Sequence, residues 1–185
     1  MPILGVIASS TRQGQVVPDT GAMFPLGMVQ VGSGGASTIT FSSIPQTYKH
    51  LQVRYIAKNT VANYFVSAQF NSDTGTRYAN HYLTGNGTSA SATAATGDTR
   101  LYFPRTNTSN FSGGILDILD YTSTNKNKTT RSIGGFDANG SGNVDFNSGL
   151  WMPASLGSGN ITRIDFLLDA GNYAQHTQFA LYGIK

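Results

Sequence analysis

From Met28 to Lys185 the chain is a succession of short apolar runs, most of them alternating, cut by clusters of Gly, Asn, Ser and Thr. The pattern is densest between Gly113 and Trp151, where three runs are separated by a Thr/Asn/Lys turn and an Asp/Asn/Gly turn. Gly and Asn accept the positive backbone angles of tight reversals, so the stretch predicts three antiparallel strands. In the third run Val144, Phe146 and Leu150 fall on one face and Asp145, Asn147, Gly149 and Trp151 on the other, the period of two of a half-buried strand. The first run, Ile115 to Tyr121, has apolar residues at helical as well as strand spacing. It is too short for a helix without length to stabilise it, which predicts a strand buried on both sides.

The same reading extends over the chain. Ile39 and Phe41 alternate with Thr38 and Thr40; Leu51, Val53, Tyr55 and Ala57 share a face; Tyr64, Val66, Ala68 and Phe70 repeat the pattern. Arg77 to Leu83, Arg100 to Phe103, Ile164 to Leu168 and Phe179 to Ile184 add further strands. Thr84 to Asp98 and Pro104 to Ser112 read as long polar loops. About nine or ten short strands with turns between them predict an all-β fold, an antiparallel β-sandwich of jelly-roll type. Residues 1–27 carry apolar side chains and prolines without a period, which predicts an irregular N-terminal arm for docking or oligomerisation, followed by the sandwich over residues 28–185.

Composition supports the all-β reading. Only 11% of the 185 residues are charged, all nine acidic residues are Asp, and Glu, the better helix former, is absent. The net charge of +3 is spread along the chain; Lys126, Lys128 and Arg131 come nearest to a cluster and read as a solvated turn, so no nucleic-acid partner is expected. With no cysteine, neither disulfides nor thiolate zinc sites are available, which fits assembly in a reducing cytoplasm. No run is long enough to span a membrane as a helix, so no membrane insertion is expected, and the opening MPILGVIASS lacks the basic start and apolar length of a signal peptide.

Candidate chemistry is sparse. His50, His81 and His176 stand apart without ligand partners at metal spacing, and no nucleophile elbow is present. As strand residues Asp117 and Asp120 point to opposite faces, a poor carboxylate pair for a glycosidase. Asp137, Asn139, Ser141 and Asp145 place oxygens at alternate positions as in the first half of a calcium loop, but Ser148 stands where the bidentate Glu belongs, and a hairpin turn is preferred. No cofactor is therefore expected, calcium being the one candidate. Tyr55, Tyr64, Tyr78, Tyr82, Tyr102 and Trp151 could stack on a sugar, and Tyr78, Tyr82, Tyr102 and Trp151 are the glycan-binding candidates; aromatic residues of this kind more often fill a sandwich core.

ITFSSIPQTYKHLQVR (Ile39 to Arg54), FNSDTG (Phe70 to Gly75), LDILDYTSTNKNKTTRS (Leu116 to Ser132), DANGSG (Asp137 to Gly142), SGLW (Ser148 to Trp151) and FALYGIK (Phe179 to Lys185) occur in one order. Together they resemble a group of tailed-bacteriophage virion proteins, tail fibres, tail proteins and related structural proteins. The resemblance implies a non-enzymatic β-sandwich on the virion surface, as a tail component or a head decoration, made in the host cytoplasm and present in multiple copies. It carries no catalytic residues. Its implied partners are other virion proteins of the capsid or tail and sister subunits, a homotrimer by analogy with phage surface fibres. The alternative is an adhesin that binds host-cell glycan; a polysaccharide-degrading enzyme has the least support.

Overall fold

Two antiparallel sheets account for most of the computed structural model, which describes residues 22–185. The first strands are β1 (Met23–Gln30), β2 (Thr38–Phe41), β3 (His50–Ala57), β4 (Phe65–Phe70), β5 (Tyr78–Gly85) and β6 (Ala90–Asp98). They are followed by β7 (Leu101–Arg105), β8 (Ser112–Ile118), β9 (Lys128–Asp137), β10 (Gly142–Trp151), β11 (Ile164–Leu168) and β12 (Gln178–Ile184). One sheet has the order β1-β12-β3-β8-β9-β10-β5-β6 and the other β2-β11-β4-β7.

Eight of these strands form a jelly roll, β1-β12-β3-β8 facing β2-β11-β4-β7. The remaining four are two hairpins: β5–β6 is inserted between β4 and β7, and β9–β10 between β8 and β11. Both hairpins join the larger sheet beyond β8, so that sheet is twice as wide as its partner. Phe166 of β11 lies mid-core, its ring centroid 4.8 Å from Phe179, 6.3 Å from Phe41 and 6.4 Å from Phe103. At the other end Trp151 lies 5.6 Å from Phe70 and 6.4 Å from Tyr78.

Several expectations are corrected. There are twelve strands rather than nine or ten, because β6 occupies most of the stretch read as the loop Thr84 to Asp98. Its ASATAATGD sequence buries no side chain and so shows no alternation; the strand exists because β5 offers it a ladder from Tyr78 to Gly85. β1 begins at Met23, inside the stretch assigned to the arm, where it pairs with β12 at the sheet edge. Residues 1–21 of that arm lie outside the described residues. The first central run ends as a strand at Ile118 and is buried on one side only: Gly114, Leu116 and Ile118 face the core while Ile115 is exposed.

The third central run holds the largest reversal. Its period is as read, but Asp145, Asn147, Gly149 and Trp151 are the buried face and Val144 and Phe146 face outward. Neighbouring strands agree: Asn80 and Thr84 of β5 and Thr130 and Ser132 of β9 are buried, while Leu83 and Ile133 are exposed. In the inserted part of the larger sheet, Thr84, Asn80, Asp145, Asn147, Thr130 and Ser132 therefore face inward while Leu83, Val144, Phe146 and Ile133 face out.

Candidate functional site

Cross-strand register builds the outer face of the larger sheet row by row. Leu83, Phe146, Ile133 and Ile115 are consecutive partners across β5, β10, β9 and β8. The row continues through Arg54 and Ala180 to Met28 on β1, and at the other end to Ala92 on β6. It thus crosses all eight strands, roughly 34 Å at the usual strand spacing. One step along the strands, on one side, lies a polar row in which His81, Ser148, Arg131, Asp117 and Gln52 are partners. On the other side lie Gly85, Val144, Gly135, Gly113 and Ile56.

The apolar residues of this face are open to solvent. Ile115 exposes 38% of its surface, Ile133 46%, Leu83 47%, Phe146 48%, Val144 50%, Ile56 54% and Met28 64%. With each of them about half exposed they present roughly 600 Å² of apolar area in all, at the upper end of the largest apolar patch on a typical monomer, which is often functional. The polar row is tied down locally: Arg131 Nη1 donates to Ser148 Oγ at 2.7 Å and to the Thr130 carbonyl at 2.9 Å, and Gln52 Nε2 donates to Asp117 Oδ1 at 2.8 Å. A trough of about 800 Å³ runs over Leu83, Ile115, Ile133 and Phe146.

No protein-family model, curated protein or solved structure matches this chain. The reading of the site therefore rests on its own geometry.

The glycan candidates separate. Tyr78 and Trp151 are buried, their rings stacked at an interplanar angle of 20°, and neither offers a face to a sugar. Burial pushes the Tyr78 hydroxyl well above its ordinary pKa, and that hydroxyl donates to the Asp73 carbonyl at 2.8 Å. Tyr82 and Tyr102 are half-buried and lie on either side of Phe65, 4.9 and 5.6 Å away, with the Arg105 guanidinium 4.0 Å over the same ring. Tyr55 is buried against Phe179. Sequence reasoning chose aromatics, which here are mostly core, and passed over the aliphatic face.

The calcium candidates separate too. Asp137 Oδ1 accepts from the Asn139 and Gly140 amides at 2.7 and 3.3 Å, closing the hairpin whose left-handed positions are Asn139 and Gly140. Asp145 is buried on β10, where its carboxylate takes the Arg105 guanidinium at 2.6 Å, the Arg105 amide at 3.0 Å and the Thr84 hydroxyl at 2.7 Å. The two aspartates hold different parts of the fold and do not share a cation. Among the described residues, no group of three His, Asp or Glu side chains is placed to hold a metal ion.

The near-cluster of cations also divides. Lys126 pairs with Asp120 at 3.2 Å, Arg131 lies on the outer face, and Lys128 is fully buried. Lys128 Nζ donates to the carbonyls of Ser123 and Lys126, and burial pulls its pKa below the ordinary lysine value. It fastens the turn between β8 and β9 rather than facing solvent as expected. Asp120 does not share a strand with Asp117; it sits in that turn with φ 47°. On the inner face, the side chains of Asn147 and Ser132, cross-strand partners, are buried without a protein hydrogen-bond partner.

Asp73 and Asp165 are the acid-sensitive joints. Burial alone would raise the Asp73 pKa, but hydrogen bonds from Trp151 Nε1 at 2.9 Å and the Gly75 amide at 2.9 Å, with the Arg77 guanidinium at 2.6 Å, outweigh it and hold it below the usual carboxylate value. Burial of Asp165 is likewise outweighed, by Arg163, Thr40 and Ser72. A carboxylate with a lowered folded pKa stabilises the fold above the unfolded value, about 3.9, and that contribution is lost as pH falls through the folded value. Urea midpoints are expected to hold steady down to about pH 4 and to fall below it, with Asp73→Asn showing a smaller fall. A wild-type midpoint that does not move between pH 5 and pH 2.5 contradicts this.

Proposed function

We propose that this protein is a non-enzymatic structural protein of a bacteriophage particle, displayed on its surface, with residues 1–21 and the adjoining β1 directing it to its place. The observation that carries the reading is the outer sheet face. Among the described residues that face is a broad, mostly apolar wall suited to contact with another protein, whereas a catalytic site calls for converging acid, base or nucleophilic groups. Of the carboxylates, Asp73, Asp145 and Asp165 are occupied in holding strands and turns together. The segments that resemble virion proteins are what favours a phage particle, as tail component or head decoration, and the open apolar face is compatible with attachment to another protein.

The test is particle incorporation of a chain lacking residues 1–21. Removal of residues 1–27 would also strip β1 back past its pairing with Tyr182 to Ile184, so the cut belongs before Met23. The shortened protein is expected to fold, with an unchanged strand signal in circular dichroism, and to be absent from purified particles. Normal incorporation of the shortened protein rejects the assigned role of that segment. Absence of the full-length protein from particles rejects the virion reading itself.

The adhesin reading retains one observation, the half-buried cluster of Tyr82, Phe65 and Tyr102. Glycan binding abolished by Tyr82→Ala, with folding intact, would support it over a purely structural role.

A further inference from the structure

We infer that the outer face of the larger sheet is an interface between two copies of this chain, packed face to face about a two-fold axis that runs along the apolar row. The inference stands independently of the virion reading, because it uses only the surface of the sheet.

Area is the first argument. A stable interface buries about 800 Å² on each partner, and homodimer interfaces are about 65% apolar. The roughly 600 Å² of exposed apolar surface on this face, with the polar row as rim, is what such an interface needs from one side. From Leu83 through Phe146 and Ile133 to Ile115 the row is aliphatic except for Phe146, and Arg54 ends that run on β3, whereas a sugar site calls for aromatic platforms with polar groups converging between them.

Two glycines give the second argument. Gly85 and Gly113 lie in strands, have no positive φ, and a methyl group at either would meet nothing within 4 Å. Nothing inside this chain requires glycine at either position, and glycine weakens a strand. Gly114, beside Gly113, contrasts with it: a methyl group there would lie 2.1 Å from Tyr55 Cζ, so the fold itself demands that glycine. Bare strand backbone facing open space is what the close approach of an external chain requires.

The rows complement one another under this symmetry. An axis along Leu83, Phe146, Ile133 and Ile115 sets each of these residues against its own copy, as an isologous contact does. The same rotation sets His81 over the second copy's Gly85 and Arg131 over its Gly135, positions without side chains, and sets the short Ser148 over the exposed Val144. Long side chains then meet bare backbone, and a short one meets the valine, on both sides of the apolar seam.

Light scattering on the size-fractionated full-length chain at micromolar concentration tests this. The wild type is expected at twice the 19.6 kDa chain mass. Gly113→Val, which adds a strand-favouring side chain into open space, and Phe146→Lys are each expected to give monomers with the wild-type circular dichroism, and their thermal midpoints are expected to lose the concentration dependence of the dimer. A wild-type monomer or trimer overturns the inference, as does a dimer that survives both substitutions. If the wild type is a monomer and the chain lacking residues 1–21 associates, the occupant of the face is that segment of the same chain, and the two-copy interface is wrong.

Discussion

Asp145→Ala is expected to lower the stability of the folded chain by about 3–5 kcal/mol, the cost of removing one member of a buried ion pair. The carboxylate is fully buried and is the point at which three strands are joined: β10 supplies it, the Arg105 side chain and amide come from β7, and the Thr84 hydroxyl comes from β5. Its loss leaves the Arg105 guanidinium, on a side chain only 21% exposed, without its counter-charge, and takes away the acceptor of the Arg105 amide. Asp145→Asn keeps an acceptor for Thr84 but gives up the charge, so it should fall between wild type and alanine. Equilibrium urea unfolding checks the order. The three proteins unfolding at one midpoint would mean that the β5–β7–β10 junction is not held through Asp145.

Trp151→Ala should cost about as much, roughly 3–5 kcal/mol, through the cavity left by a large aromatic side chain. Trp151 exposes 2% of its surface, packs against Phe70 and Tyr78, and donates its indole N–H to Asp73 Oδ2. Asp73 in turn organises the turn between β4 and β5 through the Gly75 amide and Arg77. Trp151→Phe keeps the ring packing and loses the hydrogen bond, so it isolates that second contribution, about 1.5–3 kcal/mol for a bond to a charged group. The expected alanine phenotype is a lowered melting temperature. A folded, fully stable alanine variant that had lost binding to a glycan would instead restore Trp151 to the sugar-binding role considered from sequence.

The two sheets were legible because the alternation of Leu51, Val53 and Tyr55, or of Val66, Ala68 and Phe70, has one reading: these side chains are in the core. In β10, one strand of the inserted hairpins, the period was equally plain and its direction was not. Alternation says that two faces differ, and the habit of burying the apolar one fails when a sheet is wider than the sheet that covers it. A usable signal was present: Leu83 shares its face with His81, Ile133 with Arg131, and Ile115 with Asp117. Burying those apolar residues would also bury two cationic-capable groups and a carboxylate. β6 was missed for a different reason, since a strand that buries no side chain leaves no hydrophobic record. The hairpin preferred over a calcium loop for Asp137 to Asp145 is the one formed, with Asp137 in the turn and Asp145 in the interior.

The most direct test of an outward apolar wall that meets a second copy is thiol labelling at position 144, since the natural chain has no cysteine. Val144→Cys is a small change at a half-exposed side chain of that wall. The account predicts slow modification by a soluble disulfide reagent in an otherwise wild-type chain at micromolar concentration, and fast modification once Gly113→Val is added. Equal rates in the two backgrounds would contradict it: equally fast means that nothing covers the face, and equally slow means that the face is covered by the chain itself.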